Sequence, residues 1–253
     1  MYRGNGESVT VKDLQSAVDY SFGVFTLSPY GNYGEPVTIS YRYDFPSEPT
    51  DYLDCAEISE TTEYEIPEDG WFRIDVIGAG GKGGSELSKK SGSTAIASAG
   101  GGGTGGYARS EVKLYKGDII SISFSDTLTV SSSKYGINIQ VTHGGIGGNA
   151  IDYRNAGSGG YAGHATGGNK LNQSGRSGSK GNTQSSGRSI SGGAGASYQT
   201  LVITNTKTYN IYGGNGAGAD DIISSSYHVI LATNGNNAMV FISRGNTNIP
   251  SPQ

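Results

Sequence analysis

Short runs of alternating apolar and polar residues recur along the chain, separated by long stretches with almost no large side chains. Trp71-Phe72-Arg73-Ile74-Asp75-Val76-Ile77 alternates as a strand does, with Trp71, Arg73, Asp75 and Ile77 on one face. Pro67-Glu68-Asp69-Gly70 ahead of it reads as a turn. Residues 107–114 and 118–124 read as two strands, and Lys116-Gly117-Asp118 between them predicts a hairpin. Further strands are expected at 127–130, 137–141, 198–203, 209–212, 227–233 and 238–243, the last two joined by Asn234-Gly235-Asn236-Asn237. Nearer the N-terminus, 36–43 alternates as a half-buried strand, and 11–20 sets Leu14, Ala17 and Val18 on one face of a short helix.

Between the strands, glycine recurs every third residue. The series are Gly78, Gly81 and Gly84; Gly100, Gly103 and Gly106; Gly157, Gly160 and Gly163; Gly175, Gly178 and Gly181. A polyproline-II-type helix turns once in three residues and has no internal hydrogen bonds. Such a spacing therefore places glycine along one edge, where another backbone can approach closely. The outward N–H and C=O groups must then find partners on neighbouring segments. The expected fold is all-β: sandwich-like strands clamping a bundle of polyglycine-II helices, with a small β-rich N-terminal module. The expected divisions are 1–66 for that tyrosine-rich module, 67–245 for the glycine-rich domain and 246–253 for a tail.

Composition sharpens this picture. The chain has 43 glycines in 253 residues, and only 34% of its residues are apolar with tyrosine counted. A conventional core can fill only part of such a molecule, and contacts with other subunits would help to order the rest. Collagen is excluded, because proline is absent between Pro67 and Pro250. A net charge of −4 offers no footprint for nucleic acid. Cys55 is alone, no apolar run is long enough to insert in a membrane, and the opening residues lack the apolar core of a secretory signal.

Gly78-Ala79-Gly80-Gly81-Lys82-Gly83 matches a dinucleotide fingerprint and follows a strand, but no helical period follows it. Lys82 is followed by glycine, which also rules out a phosphate-binding loop of the Walker type. His143, His164 and His228 lack metal-ligand spacing, and Asp220-Asp221 lacks the calcium-loop pattern. No cofactor, metal or catalytic residue is expected. The bulky residues of the second glycine tract are Tyr153, Arg154, Tyr161, His164, Arg176 and Arg188. Beside glycine, serine and asparagine they have the composition of adaptable recognition loops, so they are the candidate receptor-binding residues.

The stretch from Tyr64-Glu65-Ile66-Pro67 through Trp71 to Gly78-Ala79-Gly80-Gly81 resembles the opening of the glycine-rich domain of bacteriophage tail proteins. Gly100-Gly101-Gly102-Gly103-Thr104-Gly105-Gly106-Tyr107 and Leu114-Tyr115-Lys116-Gly117-Asp118 are similar to its next landmarks. The resemblance covers about 64–245 and departs at Phe124-Ser125-Asp126-Thr127-Leu128, where the family carries another glycine run. It implies a virion protein made in the host cytoplasm, a tail-tip or fibre-tip adhesin contacting a host-surface glycan or protein without catalysis. The N-terminal module would dock on other virion subunits, in an oligomeric assembly. The alternatives are a purely structural head-decoration, fibre or baseplate subunit and, third, a surface-polysaccharide depolymerase.

Overall fold

A computed structural model describes residues 11, 18–43, 48–223 and 226–246. The protein is essentially all-β, with antiparallel pairing throughout the described strands and a single short 3-10 turn at Ser133–Tyr135. It divides into two units, and the division falls before Glu48. The sequence boundary at 66 is thus corrected. Tyr52–Ile58 pairs with Met239–Gly245, and Thr62–Glu65 pairs with Ile119–Ser123, so both strands belong to the larger unit.

The smaller unit contains a two-stranded ribbon, Val18–Val24 against Val37–Tyr43. Val18–Tyr20 is therefore strand; the rest of the expected 11–20 helix lies outside the described residues, Val11 excepted. Directly opposed residues share a face in an antiparallel pair. Here Tyr20 opposes Tyr41, Phe22 opposes Ile39 and Val24 opposes Val37, while Asp19, Ser21, Thr38, Ser40 and Arg42 make the other face. The strand expected to be half-buried is instead open, with Val37 68% and Ile39 59% exposed. Its alternation is real, but it belongs to a two-stranded ribbon, and among the described residues those side chains stay open.

In the larger unit one five-stranded sheet runs Ala165–Thr166, Ile137–Thr142, Thr127–Ser132, Ile119–Ser123, Thr62–Glu65 from edge to edge. The other runs Leu171–Gln173, Tyr107–Leu114, Gly70–Ile77, Met239–Gly245, Tyr52–Ile58. The turn at Tyr115–Asp118 forms, with Gly117 at φ 83°, but the predicted hairpin does not. Tyr107–Leu114 pairs with Gly70–Ile77 and Leu171–Gln173, whereas Ile119–Ser123 pairs with strands of the first sheet. The turn therefore carries the chain from one sheet to the other. Both sheets contribute to one apolar cluster, including Phe72, Ile74, Val76, Val240 and Ile242 from one and Ile120, Leu128, Val130, Ile139 and Val141 from the other.

Eight glycine-rich segments extend from the strands, 191–197 and 212–218 from a two-stranded sheet of Gln199–Val202 and Thr208–Ile211 and the rest from the five-stranded sheets: 78–84, 98–106, 142–149, 156–164, 174–182, 191–197, 212–218 and 232–238. Segment 98–106 lies at their centre. Its N–H groups bond outward with a period of three: Ser98, Gly101 and Thr104 to 174–182; Ala99 and Gly102 to 212–218; Gly100, Gly103 and Gly106 to 142–149. Its C=O groups repeat the period, accepting from Gly157, Gly160 and Gly163, from Gly193 and Ala196, and from Gly84, Gly81 and Gly78. Six segments thus surround the central one, and each bonds to its neighbours around the ring. The eighth, 232–238, lies outside the ring against 78–84 and 212–218.

This arrangement explains where glycine is spaced and where it is continuous. A ring segment touches neighbours on two edges and leaves every third residue free to point outward, as at His143, Ile146 and Asn149, or at Ser158, Tyr161 and His164. The central segment has no free edge, and there the sequence reads Gly100-Gly101-Gly102-Gly103. At all twelve glycines of the four spaced series, an added Cβ would lie 1.9 to 2.5 Å from a backbone oxygen of a neighbouring segment. Ser98 and Thr104 frame the central run, and their hydroxyls accept from the Asn182 and Arg176 N–H groups at 2.7 Å.

Candidate functional site

Chain direction sorts the loops into two sets. Segments starting at Gly78, Thr142, Ser174 and Tyr212 lead away from the sheets, and those between them lead back, as the antiparallel bonding shows. Near the sheets, the segments are fixed by His143 and Asn236. The His143 Nδ1 accepts from the Ala79 N–H and its Nε2 bonds to the Ser125 carbonyl, each at 2.9 Å. Asn236 donates to the Gly78 carbonyl and accepts from the Tyr212 N–H. The loops 85–97, 150–155, 183–190 and 219–231 lie at the far end.

These far loops are joined to one another. Asn149 Oδ1 accepts from the N–H groups of Ser85 and Glu86, and the Glu86 carbonyl accepts from Ala150. Ile96 and Ala97 pair with Gln184 and Thr183. Ile190 bridges Ala219, and the Ile222 N–H donates to the Arg188 carbonyl at 2.7 Å. Beneath them Ile96, Ile190, Ala219 and Ile222 form a small apolar core with Leu87 and Tyr227 packed against it. That core ties 85–97, 183–190 and 219–231 together, and the bonds of Asn149 and Ala150 attach 150–155 to 85–97.

The six candidate residues do not converge. Tyr153 and Arg154 sit in one tight turn at the far end, and Arg188 is in a neighbouring far loop. The turn is made by Asp152, whose carboxylate accepts from Asn155 Nδ2 and from the Arg154 and Asn155 N–H groups; these bonds hold its carboxyl below the usual range. Tyr161 lies midway along the ring, 71% exposed, with its ring over Gly145. His164 stands near the sheets, its Nδ1 3.2 Å from Ser174 Oγ. Arg176 lines a small cleft with Thr104, Tyr107, Gln173, Gln199 and Ile211.

Two residues overlooked as candidates lie against tyrosines of the far loops, Lys90 against Tyr153 and Lys89 against Tyr227. Lys90 Nζ lies 5.6 Å from the centre of the Tyr153 ring, and Arg154 Cζ lies 5.0 Å from it. Next to Lys90, Lys89 Nζ sits 5.1 Å from the Tyr227 ring, buried and without a hydrogen-bond acceptor. The sequence offered one signal, since Lys89-Lys90 is the only adjacent basic pair in the chain. Its aromatic partners come from loops far away in sequence.

The second sheet carries the other polar centre. Asp75 is fully buried, its Oδ1 accepting from Tyr107 OH at 2.5 Å and Arg109 Nε at 2.6 Å. Burial pushes its carboxyl up, against the opposing pull of Arg109. Arg109 Nη2 also donates to the Val202 carbonyl, which ties the Gln199–Val202 strand to the sheet. The Asp75 carboxylate is buried and its bonds join the sheet to the Gln199–Val202 strand, so this group is a structural clasp. Among the described residues no cluster of His, Cys, Asp and Glu could hold a metal, and no helix is long and apolar enough to cross a membrane. No protein-family model matches the chain, and no curated protein does.

Proposed function

We propose that this chain is a non-enzymatic virion protein of a phage, carried at a tail or fibre tip, that contacts the host cell surface through its far loops. In this reading the glycine segments are polyglycine-II helices in a hexagonal bundle, and the two five-stranded sheets are a β-sandwich clamping one end of it. The observation that carries the proposal is that three of the far loops meet over the Ile96–Ile190–Ala219–Ile222 core, while the fourth, 150–155, is hydrogen-bonded to 85–97. A rigid base holding small-residue loops in one shape reduces the entropy lost when they bind. The resemblance of about 64–245 to phage tail glycine-rich domains supports the setting.

The ribbon of the smaller unit supplies the second contact of this reading. Phe22, Val24, Val37, Ile39 and Tyr41 make an apolar face that a neighbouring virion subunit would cover, leaving the far loops for the host. In the purely structural alternative the far loops are buried against subunits as well. Purified protein applied to intact cells of the bacterium its phage infects separates the two. We expect it to bind those cells and to block infection in a dose-dependent way. Failure to bind susceptible cells overturns the adhesin reading in favour of the structural one.

A further inference from the structure

Charge is distributed unequally between the two parts of the larger unit. On the sheets, Arg73, Arg109, Lys134, Lys170, Lys207 and Arg244 each pair with a carboxylate. In the glycine segments and far loops, Lys82, Lys89, Lys90, Arg154, Arg176, Lys180 and Arg188 form no such pair among the described residues. Acidic residues there are Glu86, Asp152, Asp220 and Asp221, so this part is positive within a chain of net charge −4. Two of those four are already engaged: Asp152 by its turn and Asp220 by His228, 3.2 Å away.

From this we infer that the far end holds a binding seat for an anionic glycan, a saccharide bearing carboxylate or phosphate groups, centred on Lys90, Arg154 and Tyr153. The inference rests on the adhesin reading for its biological setting but on charge and geometry for its chemistry. Lys90 and Arg154 both lie against the Tyr153 ring, and both are exposed. Cation–π contacts fix the positions of the two cations without neutralising them. Lys89 adds a second basic side chain next to Lys90, its Nζ buried against the Tyr227 ring with no hydrogen-bond acceptor. Asp152, the acid in the same turn, has its oxygens turned to N–H groups, so it competes weakly for either cation. Arg154 feels the Asp152 charge, but those oxygens are held by N–H groups, so an arriving carboxylate or phosphate would bond to both cations directly. Arg offers such a group a two-pronged donor and Lys a point charge.

The test uses the whole purified chain with three immobilised probes: polygalacturonate for carboxylate, a phosphomannan for phosphate, and dextran as the neutral control. We expect retention on at least one charged probe, none on dextran, and release as salt rises toward about 0.5 M. The double variant Lys90→Gln/Arg154→Gln changes two exposed side chains and should fold normally. It should weaken retention about tenfold or more, whereas Lys207→Gln on the sheet part should leave it unchanged. Which charged probe is retained distinguishes carboxylate from phosphate. Retention that survives in the double variant, or that is equal on dextran, overturns the seat. Protein that binds host cells but ignores both charged probes also overturns it while leaving adhesion standing. Retention on a charged probe without cell binding supports the seat and removes the adhesin reading.

Discussion

The sheets and the glycine array satisfy buried backbone groups in opposite ways. On the sheets, strands pair edge to edge, and side chains such as Ile74, Leu128 and Val141 fill the space between layers. In the array each segment bonds in several directions at once, and space between segments is removed by leaving side chains out. A sheet core tolerates modest shape changes because neighbouring side chains can rotate. In the array most close approaches have backbone on both sides, so little that is soft can give way.

The sharpest way to break this comparison is to add one methyl group to the array and remove one from the sheets. At Gly102 an added Cβ would lie 2.0 Å from the Gly81 carbonyl oxygen, with 78–84 itself bonded to three other segments. Gly102→Ala should cost more than about 4 kcal/mol in urea unfolding, in the range reserved for severe structural disruption. Ile74→Val, equally buried, should cost only about 1 kcal/mol. Wild-type stability of Gly102→Ala would mean the segments are not in contact.

A smaller effect is expected at the clasp between the second sheet and the Gln199–Val202 strand. Removing one partner of a buried ion pair leaves the other charge uncompensated, at a cost of roughly 3–5 kcal/mol. Arg109→Leu should therefore destabilise by about 3 kcal/mol at neutral pH, towards the low end because Arg109 is partly exposed. The carboxyl of Asp75 is already pushed up by burial and would rise further without Arg109. A protonated Asp75 needs no cation, so the variant should recover stability relative to wild type as pH falls. Denaturant midpoints at two pH values measure this, and an equal deficit at both would show that Asp75 does not depend on Arg109.

How much of this was readable in advance depends on the range of each signal. Alternation at 71–77 and the turn at 116–118 are local, and both appear. The partner of 107–114 is not local: the turn chemistry suggested 119–123, but Gly70–Ile77 and Leu171–Gln173 occupy its two edges. Glycine spacing was legible because the close approach is written residue by residue. The contrast between spaced glycine and the unbroken Gly100–Gly103 run also marked the central segment, for anyone counting free edges. The seat at Lys90, Tyr153 and Arg154 was half legible. The basic pair and the aromatic turn are visible in sequence, but only the alternating outward and return course of the segments brings them together.

The smallest effect concerns pH and separates the two parts by what they contain. On the sheets, Asp118 meets Lys134 Nζ at 2.8 Å, the Tyr115 N–H at 2.7 Å and the Tyr135 hydroxyl. Burial alone would raise its carboxyl, but these bonds outweigh burial and hold it below the usual value. A carboxyl lowered in the folded state binds fewer protons there than in the unfolded chain. Its stabilisation is complete above the unfolded value of about 4 and is lost as pH falls through the folded one. Asp75, shifted the other way, works against this slope, so the contribution must be isolated by substitution. Asp118→Asn should lower stability at neutral pH by about 1 kcal/mol and flatten the loss between about pH 5 and 3. In the array the bonds run between backbone groups that do not titrate, and Gly102→Ala should keep the wild-type pH slope while losing far more stability. An unchanged acid slope in Asp118→Asn would remove this carboxyl from the account of how the sheets respond to pH.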